Sequence, residues 1–415
     1  MKIGFWIGMA VVGAGALFVF SKLKNETAAK PLALTDSTHT LSVEKKVVVH
    51  TDPNPFVRSS IREFEGFIKT ILANKQAPGA SVAIVRDTSI IWAKGYGVRE
   101  EGKPDSIDAN TVFRIGSVSK SITASLVAEL VNEKIIEWDD PVIKYLPNFK
   151  LKTESATQKL KLRHILSHTE GLPYHAYTIM IDENAPVDTL VDHLKDLDLI
   201  DEPGKVYSYQ NVGFSLIGKV IEAATHQTFE ETIIQKLFRP LGMKNASASF
   251  DKINRSPNSA KPHRFTHPAK ISNKYYSVAP AGGINASAND LALWLKALLN
   301  KNTYTLVPQQ IDEMLEPQVR AVTRNHYFWQ WKPVRKSYYA LGWRVITFNN
   351  DTIVYHGGYV NNYRCEVALN RKKKIAIAVL VNSPGPLADQ AIPKFFKIYD
   401  QHLDSISSWK PKPLM

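Results

Sequence analysis

Strand-forming runs lie at the two ends of the body of this chain, with a long helical stretch between them. Ser81-Val-Ala-Ile-Val85 and Ser89-Ile-Ile-Trp-Ala93 flank Arg86-Asp-Thr88 and read as a hairpin. Far downstream, Gly342–Phe348, Thr352–Tyr355, Tyr363–Leu369 and Ile375–Val381 read as strands joined by short turns, with Asn370–Lys374 at the tip of the last hairpin. Between these blocks Ile122, Leu126, Val127, Leu130 and Val131 form one helical stripe, and Val212, Leu216, Val220 and Ile221 another. A chain patterned in this way builds one sheet from both ends and inserts its middle as a second lobe. Two more helices bracket the body. Val57, Ile61, Phe64, Ile68, Ile71 and Leu72 follow Pro55 and stop at Ala77-Pro-Gly79, and Ile392, Phe395, Phe396, Tyr399 and Leu403 mark a final helix.

The N-terminus is of another kind. Ile3 to Phe20 is eighteen residues without a charge, the lower limit for crossing a bilayer as a helix. Lysines follow it where a cleavage site would stand, so residues 1–24 are expected to be an anchor, with a cleaved signal peptide as the alternative. Residues 25–54 are polar, lack periodicity and read as a linker. The chain has 415 residues and a formal net charge of +13, which suits anionic surfaces and also serves solubility. A membrane partner through the N-terminal segment is expected, and no nucleic acid. The single cysteine, Cys365, excludes an intramolecular disulfide and any Cys-based zinc or iron–sulfur site.

Three short motifs carry candidate chemistry. Ser117-x-x-Lys120 opens an apolar helix, which puts the two side chains on one face, one turn apart. A serine before a helix is ordinarily an N-cap, and the same spacing recurs at Ser21, Ser42, Ser249 and Ser407. Only at Ser117 does it open such a helix. Serine needs a base within hydrogen-bond reach, and a lysine serves if burial or nearby charge lowers its pKa. Tyr209-x-Asn211 offers a phenol to shuttle protons and an amide to hold Lys120 and a substrate carbonyl, or else a turn that starts a helix. Tyr355-His-Gly-Gly-Tyr359 places paired glycines, Gly357 and Gly358, at a strand end, where the N–H of Tyr359 could join that of Ser117 in an oxyanion hole. The alternative there is a glycine-rich turn. His164 and His168 have the spacing of a helical zinc pair but lack the adjoining glutamate, and no Gly-x-Ser-x-Gly run is present. The basic tip Arg371–Lys374 reads as a solvated turn, with phosphate or wall-polymer binding as the sharper alternative.

Taken in order, Ser117-x-x-Lys120, Tyr209-x-Asn211 and His356-Gly-Gly358 resemble the three motifs of the penicillin-recognising serine hydrolases, in the class C β-lactamase-like branch that includes DD-peptidases and esterases. Leu162–Pro173, Pro240–Met243, Ala281–Ile284 and Leu341–Trp343 look like that family's connecting blocks. The resemblance implies an α/β (α+β) fold: an antiparallel sheet flanked by helices, with an all-helical lobe inserted. The domain would span 55–405, with a sheet lobe of 55–115 and 285–405 and a helical lobe of 116–284. It implies an acyl-enzyme on Ser117 with Lys120 and Tyr209 as the proton-transfer pair, Asn211 and His356 beside them, and Gly357, Gly358 and Tyr359 binding substrate or oxyanion. No metal or cofactor is implied. Many relatives carry Lys-Thr-Gly in the third motif. Here His356 and Gly357 replace the cation and hydroxyl that grip a β-lactam carboxylate, so the expected substrates are cell-wall-type peptides, esters or amides, with weak turnover of β-lactams. Arg364 or Asn361 could restore carboxylate binding, or serve the scaffold. The expected location is periplasmic or otherwise extracytoplasmic. The rival reading is a membrane-tethered sensor or cell-wall-binding protein that uses the fold without turnover.

Overall fold

The computed structural model describes residues 47–300, 304–321, 328, 331 and 334–410. The apolar segment Ile3–Phe20 and most of the linker lie outside them. Among the described residues no helix is long and apolar enough to cross a membrane.

Residues 47–415 form one compact unit, organised on an eight-stranded antiparallel sheet. Its order is Ser89–Gly97, Gly79–Arg86, Ile375–Val381, Tyr363–Asn370, Asp351–Val360, Arg344–Phe348, Val334–Tyr339 and Val319–Arg320. The seam between the chain's two ends is the pairing of strands 79–86 and 375–381, in register from Ala80 opposite Val381 to Arg86 opposite Ile375. Side chains alternate across a strand, so a sheet covered on both faces needs apolar residues at every position. Strand 375–381 does this: Ile375, Ile377, Val379 and Val381 enter one core with helices Pro55–Ala73 and Pro386–Gln401. Ala376, Ala378 and Leu380 enter the other, with helices Val118–Asn132 and Ala288–Leu299.

The hairpins 344–360 and 351–370 turn through Asn349-Asn350 and Asn361-Asn362, all four at positive φ. Two left-handed residues make the tight turn that matches strand twist, and asparagine tolerates that conformation better than most. The turns set the register of every strand that follows.

The structure departs from the sequence reading in four places. Helix 118–132 is buried from Val118 to Leu130 and is not one-sided. Its small polar residues make this possible, since Ser121 Oγ donates to Gly342 O at 2.6 Å and Thr123 Oγ1 to Pro280 O at 2.9 Å. The strand expected to end at Tyr355 runs on to Val360. Strand Val334–Tyr339 is added, with Val319–Arg320 beyond it. Finally, the inserted segment is not wholly helical: His263–Arg264 pairs with His267–Pro268, and His263 N–H is bound by Asn382 O at 2.7 Å, so this short hairpin is fixed by the sheet and not by any periodicity of its own.

Candidate active site

Gly116 has φ +52° and lies between strand Phe113–Arg114 and helix 118–132. The reversal it makes sets Ser117 at the helix entrance, half-exposed in a run of buried residues. One turn on, Lys120 is fully buried. Its Nζ donates to Asn211 Oδ1 at 2.7 Å and to Ala281 O at 2.8 Å, and stands 3.3 Å from Ser117 Oγ. Burial, reinforced by the charge of Arg344, lowers the Lys120 pKa well below that of an ordinary lysine. A neutral amine has two N–H bonds and one lone pair. The two carbonyl acceptors use the N–H bonds, and the lone pair is left for the serine hydroxyl.

Tyr209 comes from the turn before helix Asn211–Thr225, and its phenol donates to Ser117 Oγ at 2.8 Å. Lys120 Nζ is 4.7 Å from the centre of its ring and the Arg344 guanidinium 5.6 Å. The structure thus brings Ser117, Lys120, Tyr209 and Asn211 into one cluster.

The third motif lies within strand 351–360 and not in a turn. Strand 344–348 pairs only with residues 351–355, whereas strand 363–370 pairs along residues 354–360. From His356 onward one edge is therefore open. In an antiparallel strand, peptide groups of alternate residues face opposite neighbours. Val360 and Tyr363 close the two-residue turn as a hydrogen-bonded pair, so Gly358 and His356 bond the same neighbour and the peptide groups of Gly357 and Tyr359 face the open edge. That edge abuts Ser117: a Cβ on Gly358 would stand 1.9 Å from Ile115 O and 3.0 Å from Ser117 N, and one on Gly116 would stand 2.8 Å from Tyr359 N. Only two glycines allow this approach of helix start to strand. It sets the N–H groups of Ser117 and Tyr359 side by side.

His356 is buried with both ring nitrogens engaged, Nδ1 to Gly357 O at 2.9 Å and Nε2 to Tyr339 OH at 2.9 Å. A carbonyl only accepts, so Nδ1 carries the proton and Nε2 accepts from the phenol. Burial, with Arg344 and Lys120 nearby, lowers its pKa well below the usual histidine value and keeps it neutral. In this arrangement His356 fixes the Gly357 peptide and has no proton to give a substrate.

Ser117, Tyr209, Asn211 and residues 356–359 line a cavity of about 460 Å³ that also reaches Tyr174, His175, Tyr275, Trp331, Arg344 and Arg364. Arg364 is tied to Glu366 at 2.6 Å and Asp389 at 2.9 Å, and Asn361 Oδ1 accepts from Ser272 N at 2.7 Å, so both are built into the scaffold around the cavity. The sequence reading missed Tyr339 and Arg344. It also missed the Ala281 carbonyl, a main-chain group for which the flanking Ala281-Gly-Gly-Ile284 run was the sole signal. Cys365 is buried within its strand. Among the described residues no group of His, Cys, Asp or Glu could hold a metal ion.

With a serine and a lysine at a helix start facing the edge of an antiparallel sheet, comparison with known proteins identifies the family. Residues 64–396 match the Beta-lactamase family, and the chain belongs to that family. It is similar to Protein flp of Staphylococcus aureus strain MW2, 25% identical over 342 residues that cover 81% of this chain and 65% of that protein. It is also similar to Unguisins hydrolase ungD' of Aspergillus campestris, 27% identical over 360 residues, 83% of this chain and 65% of that protein. The chain thus spans slightly less than two thirds of the length of these relatives. A similar solved structure is the octameric penicillin-binding protein homologue from Pyrococcus abyssi, with a TM-score of 0.70 and 25% identity over 83% of this chain and 77% of that one.

Proposed function

We propose that this protein is a serine hydrolase that cleaves amide or ester bonds through an acyl-enzyme on Ser117. The observation that carries this reading is the environment of Lys120, whose N–H bonds are both taken by carbonyl oxygens while its nitrogen stays 3.3 Å from Ser117 Oγ. Ser117 gives its proton to Lys120 as Oγ attacks the substrate carbonyl carbon. The N–H groups of Ser117 and Tyr359 receive the oxyanion. As the carbon–nitrogen or carbon–oxygen bond breaks, the leaving group takes a proton from the Tyr209 phenol, and the proton held on Lys120 then passes to the phenolate, so that both groups end neutral. Water then attacks the ester and gives a proton to Lys120, and Ser117 Oγ takes that proton back as the acid product leaves.

The open edge at Gly357 and Tyr359 suits an extended peptide, which would add to the sheet as a further strand. A neutral His356 offers no charge to a carboxylate, which favours peptide, amide and ester substrates over β-lactams. An extracytoplasmic body held by the apolar segment Ile3–Phe20 completes the proposal, and recovery of a soluble form starting near residue 30 would replace the anchor with a cleaved signal. A fluorophosphonate probe is expected to label the purified protein and to fail on Ser117→Ala. Labelling that survives the substitution rejects the site. Turnover of p-nitrophenyl esters, D-alanyl-D-alanine peptides, D-aminoacyl anilides and nitrocefin, each against that variant, sorts the substrates, and acylation without turnover on all of them would instead support a tethered sensor.

A further inference from the structure

His168 plays no part in the steps above, yet it is fully buried against the supports of the site. It follows helix Leu162–Leu166 in a left-handed conformation, φ 57°. Its carbonyl accepts from Ser208 N at 2.8 Å and its ring Nδ1 from Gln210 N at 3.2 Å. The residue between those two is Tyr209, whose own carbonyl accepts from His175 N at 3.0 Å. The imidazole also lies against the Tyr209 ring, centroids 4.2 Å apart, and against Tyr339 at 4.9 Å and Phe214 at 5.4 Å. Tyr339 in turn holds His356.

We infer that His168 is a positioning residue, a neutral imidazole that sets the Tyr209 phenol against Ser117 by gripping the backbone on both sides of Tyr209 and stacking on its ring. The inference rests on the proposed role of Tyr209 and extends it. The tautomer follows from the donors around it. Gln210 N–H can only donate, so Nδ1 must be unprotonated and Nε2 must carry the hydrogen. An imidazolium would turn a second N–H toward Gln210 and push the Tyr209 segment away. Nε2 has no hydrogen-bond partner among the described residues, boxed in by the aromatic rings. Burial and the Arg344 charge oppose protonation, and Lys120, His356 and His175 add to this whenever they are charged. The phenols of Tyr207, Tyr209 and Tyr339 also face the ring.

A displacement of about 1 Å at a proton-transfer group costs on the order of 10²-fold in rate. His168→Phe keeps a ring and loses the acceptor, and is expected to lower kcat by about that factor with KM changed less than about threefold. His168→Asn keeps an acceptor near Nδ1 and is expected to recover part of the loss. The deciding measurement is the cycle with Tyr209→Phe on a p-nitrophenyl ester. If His168 acts through Tyr209, adding His168→Phe to Tyr209→Phe costs less than about threefold more. Losses that multiply, or a His168→Phe enzyme at the wild-type rate, overturn the inference while leaving the hydrolase reading in place. A Tyr209→Phe enzyme at the wild-type rate overturns the proton-transfer role of Tyr209 and this inference with it. Should the variants fold poorly, nitrogen NMR of the wild-type histidines decides. The Nε2–H tautomer, unchanged between about pH 5.5 and about pH 9 across the ordinary histidine range, is expected, and a His168 signal that titrates there or shows Nδ1–H rejects the inference.

Discussion

Lys120 is buried beside two neutral carbonyl acceptors and no carboxylate bonds it directly. Carbonyls satisfy its N–H bonds without repaying the desolvation of a full charge, so its pKa falls. The unfolded lysine titrates near about 10.4. Between the lowered folded value and that one, the unfolded chain binds one more proton, and stability rises with pH by about 1.4 kcal/mol per unit. Lys120→Met is therefore expected to stabilise the protein, most below the folded pKa and progressively less as pH climbs toward the lysine's unfolded value. Urea denaturation at about pH 6 and about pH 9 checks the sign, and a gain that grows with pH contradicts it. The same substitution removes the base, and the acylation rate is expected to fall by about 10²–10⁴-fold. In the wild type, kcat/KM is expected to fall on the acid side as Lys120 becomes protonated.

Helix start and strand edge meet through Gly116 and Gly358, and no other pair of side chains fits there. Gly358→Ala would drive a methyl into Ile115 O at 1.9 Å, so the strand and the serine turn must separate. The expected cost is about 1–3 kcal/mol of stability and about 10²-fold in acylation. Gly66 is the contrast: it is exposed in mid-helix 55–73, a Cβ there meets nothing within 4 Å, and Gly66→Ala is expected to add about 0.5–1 kcal/mol without touching activity. Thermal denaturation and probe labelling of the two variants separate a contact that shapes the site from one that only stiffens a helix. The same contrast explains what could be read in advance. Helix 55–73 and the hairpin of strands 79–86 and 89–97 announce themselves through periodicity and a turn. His356-Gly-Gly358 conceals its strand, because glycines carry no strand signal and their pairing is dictated by the turn at Asn361-Asn362. Val334–Tyr339, with Arg335, Lys336 and Ser337 at its centre, has the composition of a loop and becomes a strand only by lying beside strand 344–348. The three motifs of the site were legible because serine, lysine and tyrosine at those spacings suggest chemistry. His168 and Tyr339 were not, since their work consists of holding other groups in place.

The sheet joins strands separated by almost the whole chain, and this seam has a dedicated polar lock. Asn382 follows the last strand and is fully buried. Its Oδ1 accepts from Gly79 N at 3.0 Å, and its Nδ2 donates to Val98 O at 3.1 Å and Arg99 O at 3.3 Å. Its main-chain oxygen receives the 263–268 hairpin through His263 N. One side chain thus ties the C-terminal strand to both ends of the first hairpin. Strands that pair across such a separation close a long loop before any contact rewards it, so the ties at the seam decide whether the two ends hold as one body. Asn382→Ala leaves a buried N–H and two carbonyls short of partners, and the expected loss is about 3 kcal/mol. Because both hydrophobic cores draw on strand 375–381, neither can melt while the other stays intact. Urea unfolding of Asn382→Ala is accordingly expected to remain a single transition with a lower midpoint and an unchanged slope. Two resolved transitions would mean that the helical insert holds together without the seam.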